Sequence, residues 1–427
     1  IARSGADLVA QLVLENEDQY DDIKGQTTEQ VNFDEGYFTA EIEEIPSGVR
    51  IVSTGVVGSR KRTVSLILEG VSTAPLIDHA VYAKGNIEIT EGVMISGDIA
   101  TSSTSTPAVN MTGGAAILPE SGSGHAGTVF VPTSADERLY DRYVQIEKGN
   151  EISGGIKKKD VPDYNNINFP DPPSGVEFGS SENVYLQELY DPSGGPVYFN
   201  FTSDKQHYKS FTARGKQQPL IIDLENKKRT LVIDELTLEN DMSIILENVG
   251  DEGHLHLFVR KMTCSGGGPY INYEVQAQPG QTSPPEPRTD ILTLYYSGSE
   301  PFGGINQHSG WSFSFAGNLV VKDAPIFLTS SAKIKGNIFT NSTSVTFGGD
   351  STVEAGLVYA PNAHLIVGNG GATRSIVCNT FHGSGGPSGG KPLDIKFEPI
   401  DMDTIPDGIF EGALGSSSSL ARSYWER

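Results

Sequence analysis

Short aliphatic runs, each closed by glycine or asparagine, recur through most of this sequence and limit its fold more than any other feature. They include Val81-Tyr82-Ala83-Lys84-Gly85-Asn86-Ile87-Glu88-Ile89, Gly317-Asn318-Leu319-Val320-Val321 and Ala332-Lys333-Ile334-Lys335-Gly336-Asn337-Ile338. Strands this short cannot bury a hydrophobic face as separate hairpins, but stacked one on another they share a continuous core. Gly and Asn tolerate the left-handed backbone angles of sharp corners, so Gly-Asn-aliphatic at 85, 317 and 336 marks the joints between runs. The interval of 19 residues from Gly317 to Gly336 suits one coil of a parallel β-helix.

The same pattern continues in Leu220–Leu224, Thr230–Leu238, Met242–Leu246, Leu255–Val259 and Leu357–Leu365. With 49 glycines, 24 prolines and no long stripe of helical period, the chain is predicted to be mainly β. A right-handed parallel β-helix, a solenoid, is expected over 73–414. Residues 101–217 fit the pattern poorly: Thr101–Pro107 is of low complexity and Asp160–Gly175 is rich in Pro, Asp and Asn. They are expected to be long inserted loops. The tail 415–427, opening with Gly415 and four serines, is expected to be flexible.

The beginning follows other rules. Ile1, Ala2, Gly5, Ala6, Val9 and Leu12 fall on one face of a 3.6-residue period, which predicts an amphipathic helix. It opens without a capping Ser, Thr, Asp or Asn, so a continuation upstream is expected. Three strand-like runs follow, Gly36–Ile42, Arg50–Val57 and Arg62–Leu68, separated by Pro46-Ser47-Gly48 and Gly58-Ser59-Arg60. Short turns of that chemistry predict a three-stranded antiparallel meander over 1–72, with the helix covering its apolar face.

A helix with small residues, then Gly-Tyr-Phe-Thr, Ile-Val-Ser-Thr-Gly and Arg-Lys-Arg-Thr-Val-Ser-Leu, resembles type IV pilins and their minor, pilin-like relatives. The runs over 76–100 and 218–400, with Tyr359-Ala360-Pro361-Asn362-Ala363, resemble the β-helical domain attached to pilin-like N-termini in bacterial surface proteins. The resemblance implies an extracellular subunit on the cell surface or in a pilus filament. It implies contact with other pilin subunits through the N-terminal helix, contact with the membrane only through an upstream segment, and adhesion to a glycan or surface protein.

Charge and cysteine content narrow the alternatives. A formal net charge of −23 repels phosphate backbones and anionic lipid, which argues against nucleic acid as a partner. Cys264 and Cys378 are too few for a disulfide scaffold and have no metal-binding spacing, although a single bridge between them is compatible with an exported protein. His254 and His256 share one strand face and could donate to a metal, but no third ligand is identifiable, so an exposed polar face is favoured. Asp401-Met402-Asp403 with Asp407-Gly408 has the oxygen chemistry of a calcium loop without the spacing of an EF-hand. The glycine clusters at 113–114, 266–268 and 383–390 lack the context of a phosphate cradle and are read as turns.

No cofactor or catalytic centre is predicted. Outward strand positions are mostly Thr, Ser, Asn, Lys and Glu, without a clustered Asp-Asp or Arg/Lys signature. A non-enzymatic minor or tip subunit is therefore expected. The alternatives are a β-helical polysaccharide lyase or hydrolase and an exported envelope protein without a filament role.

Overall fold

The computed structural model describes all residues except 16–26, 29, 34–35, 46–47, 72–76, 121–124, 162–163, 180–185, 190–194, 215–218, 240–241, 266–268, 274–285, 307–308, 311–312, 329–331, 349–351, 369–371, 386–392, 401–403, 411–418 and 426–427. The chain is mainly β and divides into two units. Ile1–Leu76 with Phe410–Arg427 form the first, and Ile77–Ile409 form the second as one continuous insertion.

In the first unit the helix Ala2–Glu15 packs on antiparallel strands. Its buried face is Ala2, Gly5, Ala6, Val9 and Ala10, while Arg3, Ser4, Asp7 and Leu8 are exposed. That apolar face meets Phe38, Ala40, Ile42, Ile51, Leu66 and Leu68. Gly5 is needed for the approach, because a Cβ there would stand 2.5 Å from the Phe38 ring. Strands Gly36–Ile45, Gly48–Val57 and Arg60–Val71 make the expected meander. Val57 pairs with Arg60 across a two-residue turn in which Gly58 takes φ +56.

Two further strands extend this sheet. Val31–Phe33 pairs with Gly36–Ile45, and Ser419–Trp425 pairs with Arg60–Val71. The end of the chain, expected to be a flexible tail over 415–427, thus contributes an edge strand at 419–425. The strand takes in only Ser419 of the serine run and carries Leu420, Tyr424 and Trp425, and the edge of Arg60–Val71 offers its backbone partners.

The second unit is built almost wholly on parallel pairing. Among the described residues its main sheet system joins 27 strands. One inward column runs Leu231, Leu257, Leu294, Leu319, Ile338, Val358, Ile376, Val81, Ile99, Val129 and Ile156, each opposite the next. From Leu231 to Val129 every member is at most 2% exposed. The Gly-Asn corners at 317 and 336 stack with the interval read from the sequence, since Ala316 pairs with Lys335 and Leu319 with Ile338. Gly336 has φ +111, and a Cβ there would lie 2.1 Å from the Gly317 carbonyl oxygen.

The order of passes is not the order of the sequence. Ile376 and Phe381 lie beside Val81 and Ile87, and Asp394–Lys396 beside Met94–Ser96. Passes 81–158 therefore follow strand 372–384 in space, while 186–200 lies at the other end of the pairing order. Residues 101–217, expected to be inserted loops, instead supply passes of their own, including Val109–Met111, Ala116–Leu118, Val129–Val131, Val144–Ile146 and Lys205–Arg214. A three-residue strand needs only two inward side chains, as in the buried Val109 and Met111, so its surroundings can be polar enough to hide it.

Part of that region crosses the passes as an extended strap. Next to the inward column lies an outward one of Val232, Phe258, Tyr295, Val320, Phe339, Tyr359, Val377 and Tyr82, all buried. Tyr164 packs edge-on against Tyr82 and Tyr359, with centroids 4.5 and 6.2 Å away, and Phe169 packs against Tyr295 at 6.1 Å. Tyr359 Oη donates to the Asn165 carbonyl at 2.8 Å, and Asn341 clasps both backbone polar groups of Ile167. Further along, Gly179 N–H donates to buried Asp234, and the Arg260 guanidinium lies over the Phe178 ring. Burial raises the Tyr164 and Tyr359 hydroxyls above the ordinary tyrosine value.

Among the described residues, no helix is long and apolar enough to cross a membrane. Ile334→Asp is expected to prevent folding of the second unit, because an unpaired charge at this fully buried position, stacked between Phe315 and Val353, costs several kcal/mol. Tyr164→Ala is expected to cost about 2–4 kcal/mol by emptying the contact between strap and outward column. Urea unfolding followed by far-UV circular dichroism measures both; a Tyr164→Ala midpoint equal to the parent's would show that the strap adds no stability.

Candidate functional site

Adjacent parallel strands bring charged side chains together on one outward face. Lys333–Thr340, Thr352–Val367, Ala372–Ser384 and Asp394–Lys396 pair in that order, with Lys335 opposite Glu354, Glu354 opposite Ala372, and Ala372 opposite Asp394. Because side chains alternate, Ile334, Val353 and Ile395 point into the core while Lys335, Glu354 and Asp394 point out.

The three cations Lys335, Arg374 and Lys396 each have a carboxylate partner. Lys335 Nζ reaches both Glu286 and Glu354, the latter at 3.1 Å; Arg374 Nε meets Glu398 at 2.9 Å, and Lys396 Nζ meets Asp394 at 2.9 Å. Burial works against the Lys335 ammonium, but hydrogen bonds to Glu286 and Glu354 hold its pKa above the ordinary lysine value. These seven groups line a cavity of about 600 Å³, a size typical of small-molecule sites.

The cavity also reaches the corner where the passes turn. Asn337 Nδ2 donates to Asn318 Oδ1 at 3.0 Å, Asn337 Oδ1 accepts from Leu357 N–H at 3.0 Å, and Asn318 Nδ2 donates to the Thr404 carbonyl at 2.9 Å. The corner asparagines of the sequence motif therefore form a buried polar ladder that also holds the segment around Thr404. Gly336 and Gly356 leave the adjoining wall open, and a Cβ on Gly356 would stand 2.7 Å from Asn337 Oδ1.

None of the seven charged residues was identifiable singly in the sequence. The usable signal was the period: Glu354 follows Lys335 by the same interval of 19 that separates Gly317 and Gly336. Arg374, Asp394 and Glu286 escape that rule because intervening segments differ in length.

The residues singled out from the sequence lie elsewhere. His254 and His256 share an outward face, 4.5 Å between ring centroids, beside a second cavity of about 180 Å³ that Lys228, Asp290 and Asp407 also line. His254 Nε2 hydrogen-bonds Thr293 Oγ1 at 3.0 Å, and its Nδ1 meets the Asp290 carbonyl at 2.8 Å. Among the described residues no three His, Cys, Asp or Glu side chains converge to hold a metal ion. Asp401-Met402-Asp403 of the candidate calcium loop lies outside the described residues.

The two cysteines are not bridged: both thiols are free. Cys264 pairs with Leu238, and Cys378 sits between Ala360 and Ala83, several passes away in the pairing order. Each inward column is a separate stack, so proximity required adjacent passes as well as inward orientation. Burial pushes both thiols above the ordinary cysteine value, which makes them inert. Of the predicted assembly-helix residues, Ala2, Gly5, Ala6 and Val9 are buried in the first unit and Ile1 is partly buried against it; the Leu12 side chain lies outside the described residues.

Gly113 and Gly114 both have positive φ and form a turn, as read from the sequence. Residues 266–268 and 386–390 of the other glycine clusters lie outside the described residues.

No protein-family model matches the chain, and no curated protein matches it. Among solved structures, it is similar to the competence-associated pilin ComZ from Thermus thermophilus at 11% identity and a TM-score of 0.26, over 95% of this chain and 92% of that one. A similarity at that level carries no weight for function.

The histidine pair generates a pH dependence. Burial first, then the neighbouring His254 and Lys228 charges, pushes His256 down from 6.5 to about 4. Between those values the unfolded chain binds a proton that the folded protein refuses, so stability falls as pH drops through that window. His256→Gln is expected to lose about 1–3 kcal/mol less than the parent between roughly pH 7 and pH 4.5. Urea midpoints at the two pH values decide it; equal losses in parent and variant would refute the assignment.

Proposed function

We propose that the chain is a non-enzymatic, pilin-like extracellular subunit. Its first unit joins it to other subunits, and its second, wound as a right-handed β-helix, presents an outward face for adhesion. The observation that carries this reading is the connectivity of the two units: a helix seated through small residues on an antiparallel sheet, with the whole parallel-sheet unit inserted before that sheet's last strand. Such a base keeps both chain ends of the larger unit, which suits a display module. The sequence resemblance to pilin-like proteins points the same way, and the right-handed winding follows the general preference of parallel crossover connections.

A minor or tip position suits a subunit whose displayed unit, Ile77–Ile409, is far larger than its base. The carboxylates of the 600 Å³ cavity are engaged in ion pairs with Lys335, Arg374 and Lys396 rather than left to face a substrate, which supports the non-enzymatic reading.

A second reading has one observation in its favour: four carboxylates, Glu286, Glu354, Asp394 and Glu398, do line a single groove, as in a polysaccharide-active enzyme.

Immunogold labelling of cells producing the full-length protein separates the readings. Sparse or tip labelling of filaments is expected. Dense uniform labelling would make the chain a major subunit, and absence from filaments would leave an envelope protein. Turnover of a polysaccharide by purified protein, lost in Glu354→Gln, would overturn the non-enzymatic assignment.

A further inference from the structure

The groove beside Lys335 has a chemistry that selects among ligands. Only Pro287 and Ile400 among its lining side chains are apolar, so a hydrophobic ligand would leave many polar groups without water or partner. Its three cations are each matched to a carboxylate, in a chain of net charge −23, so a polyanion would find no free positive charge and a repulsive field. A cationic ligand would have to compete with ammonium and guanidinium groups already in place.

A hydroxyl group avoids all three penalties. It donates to a carboxylate and accepts from an ammonium or guanidinium, joining an ion pair without breaking it. The pairs also lie on successive parallel strands, which stand about 4.8 Å apart. That spacing is close to the length one hexose adds to an extended chain. Tyr273, in an adjoining hollow that shares Glu286 and Pro287 with the groove, adds a partly exposed aromatic ring. Burial first raises its phenol above the ordinary tyrosine value, with the Lys335 charge opposing and the Glu354 and Glu286 charges adding to the rise. An aromatic face is apolar at the centre and polar at its tip, and suits the C–H face of a sugar ring.

We infer that this groove binds a neutral linear glycan lying across the parallel strands, with Lys335, Glu286 and Glu354 hydrogen-bonding its hydroxyls and Tyr273 packing on one sugar ring. The inference rests on the display of this unit outside the cell, and gives that display a ligand class. The anchor residues come from separate parts of the chain, so the site exists only in the folded stack.

The test uses the purified full chain on an array carrying neutral, uronate-containing and sulfated linear glycans, followed by calorimetry with the retained oligosaccharide. Neutral glycans are expected to be retained and the acidic ones not. Tyr273→Ala and Glu354→Ala are each expected to weaken binding about tenfold or more, at unchanged melting temperature. Retention of no neutral glycan, retention confined to acidic glycans, or affinity unmoved by both substitutions would overturn the assignment. The immunogold experiment fails or succeeds independently. Retained glycan binding with no surface labelling removes the display reading and keeps the groove. Surface labelling with no glycan retention removes the groove alone.

Discussion

In-register stacking of aliphatic side chains on parallel strands is the contact on which the larger unit depends. Leu231, Leu257, Leu294, Leu319, Ile338, Val358, Ile376 and Val81 stand in one buried column, and each strand fixes the register of the next. No single pass could bury its own face, whether its strand is as short as Val81–Ala83 or as long as Thr352–Val367, since a lone strand leaves its backbone groups unpaired. Stacking satisfies the backbone groups and the apolar side chains together. It also lets tracts such as 109–118 and 129–158 belong to the stack while looking polar in sequence.

The same alternation creates a second problem, because the residues between inward ones face out. Where those are charged, they form the ion-paired groove; where they are Phe258, Tyr295, Phe339, Tyr359 and Tyr82, they need a cover. The strap from Tyr164 to Gly179 supplies it, held by side-chain clasps at Asn341 and Asp234 as well as by ring packing. A segment rich in Pro, Asp and Asn suits this role. It cannot enter a parallel ladder, but it can lie extended across one and exchange hydrogen bonds with side chains on its outward face.

The groove follows from register as well. Lys335 and Glu354 meet because their strands are adjacent and in phase, and Asp394 joins across Ala372. The corner asparagines tie this face to the segment at Thr404, so the ion-paired groove and the turns of the core share one hydrogen-bonded framework. Glu286 arrives from a chain segment outside those strands, and its bond to Lys335 leaves that ammonium shared between two carboxylates.

The sequence by itself determined what repeats locally: inward and outward positions, the Gly-Asn corners, the 19-residue interval from 317 to 336, and a helix whose Gly5, Ala6 and Val9 face could cover a sheet. These depend on backbone geometry and side-chain size over a few residues. Only the tertiary structure decided which passes adjoin. Ile376 rests on Val81, Ser419–Trp425 returns to Arg60–Val71, Cys264 and Cys378 remain apart, and seven charged residues from scattered segments share one groove. The physical reason is that aliphatic side chains are interchangeable between passes. Any inward Val, Ile or Leu can stack on any other, so order and neighbours are set by the summed fit of the whole stack.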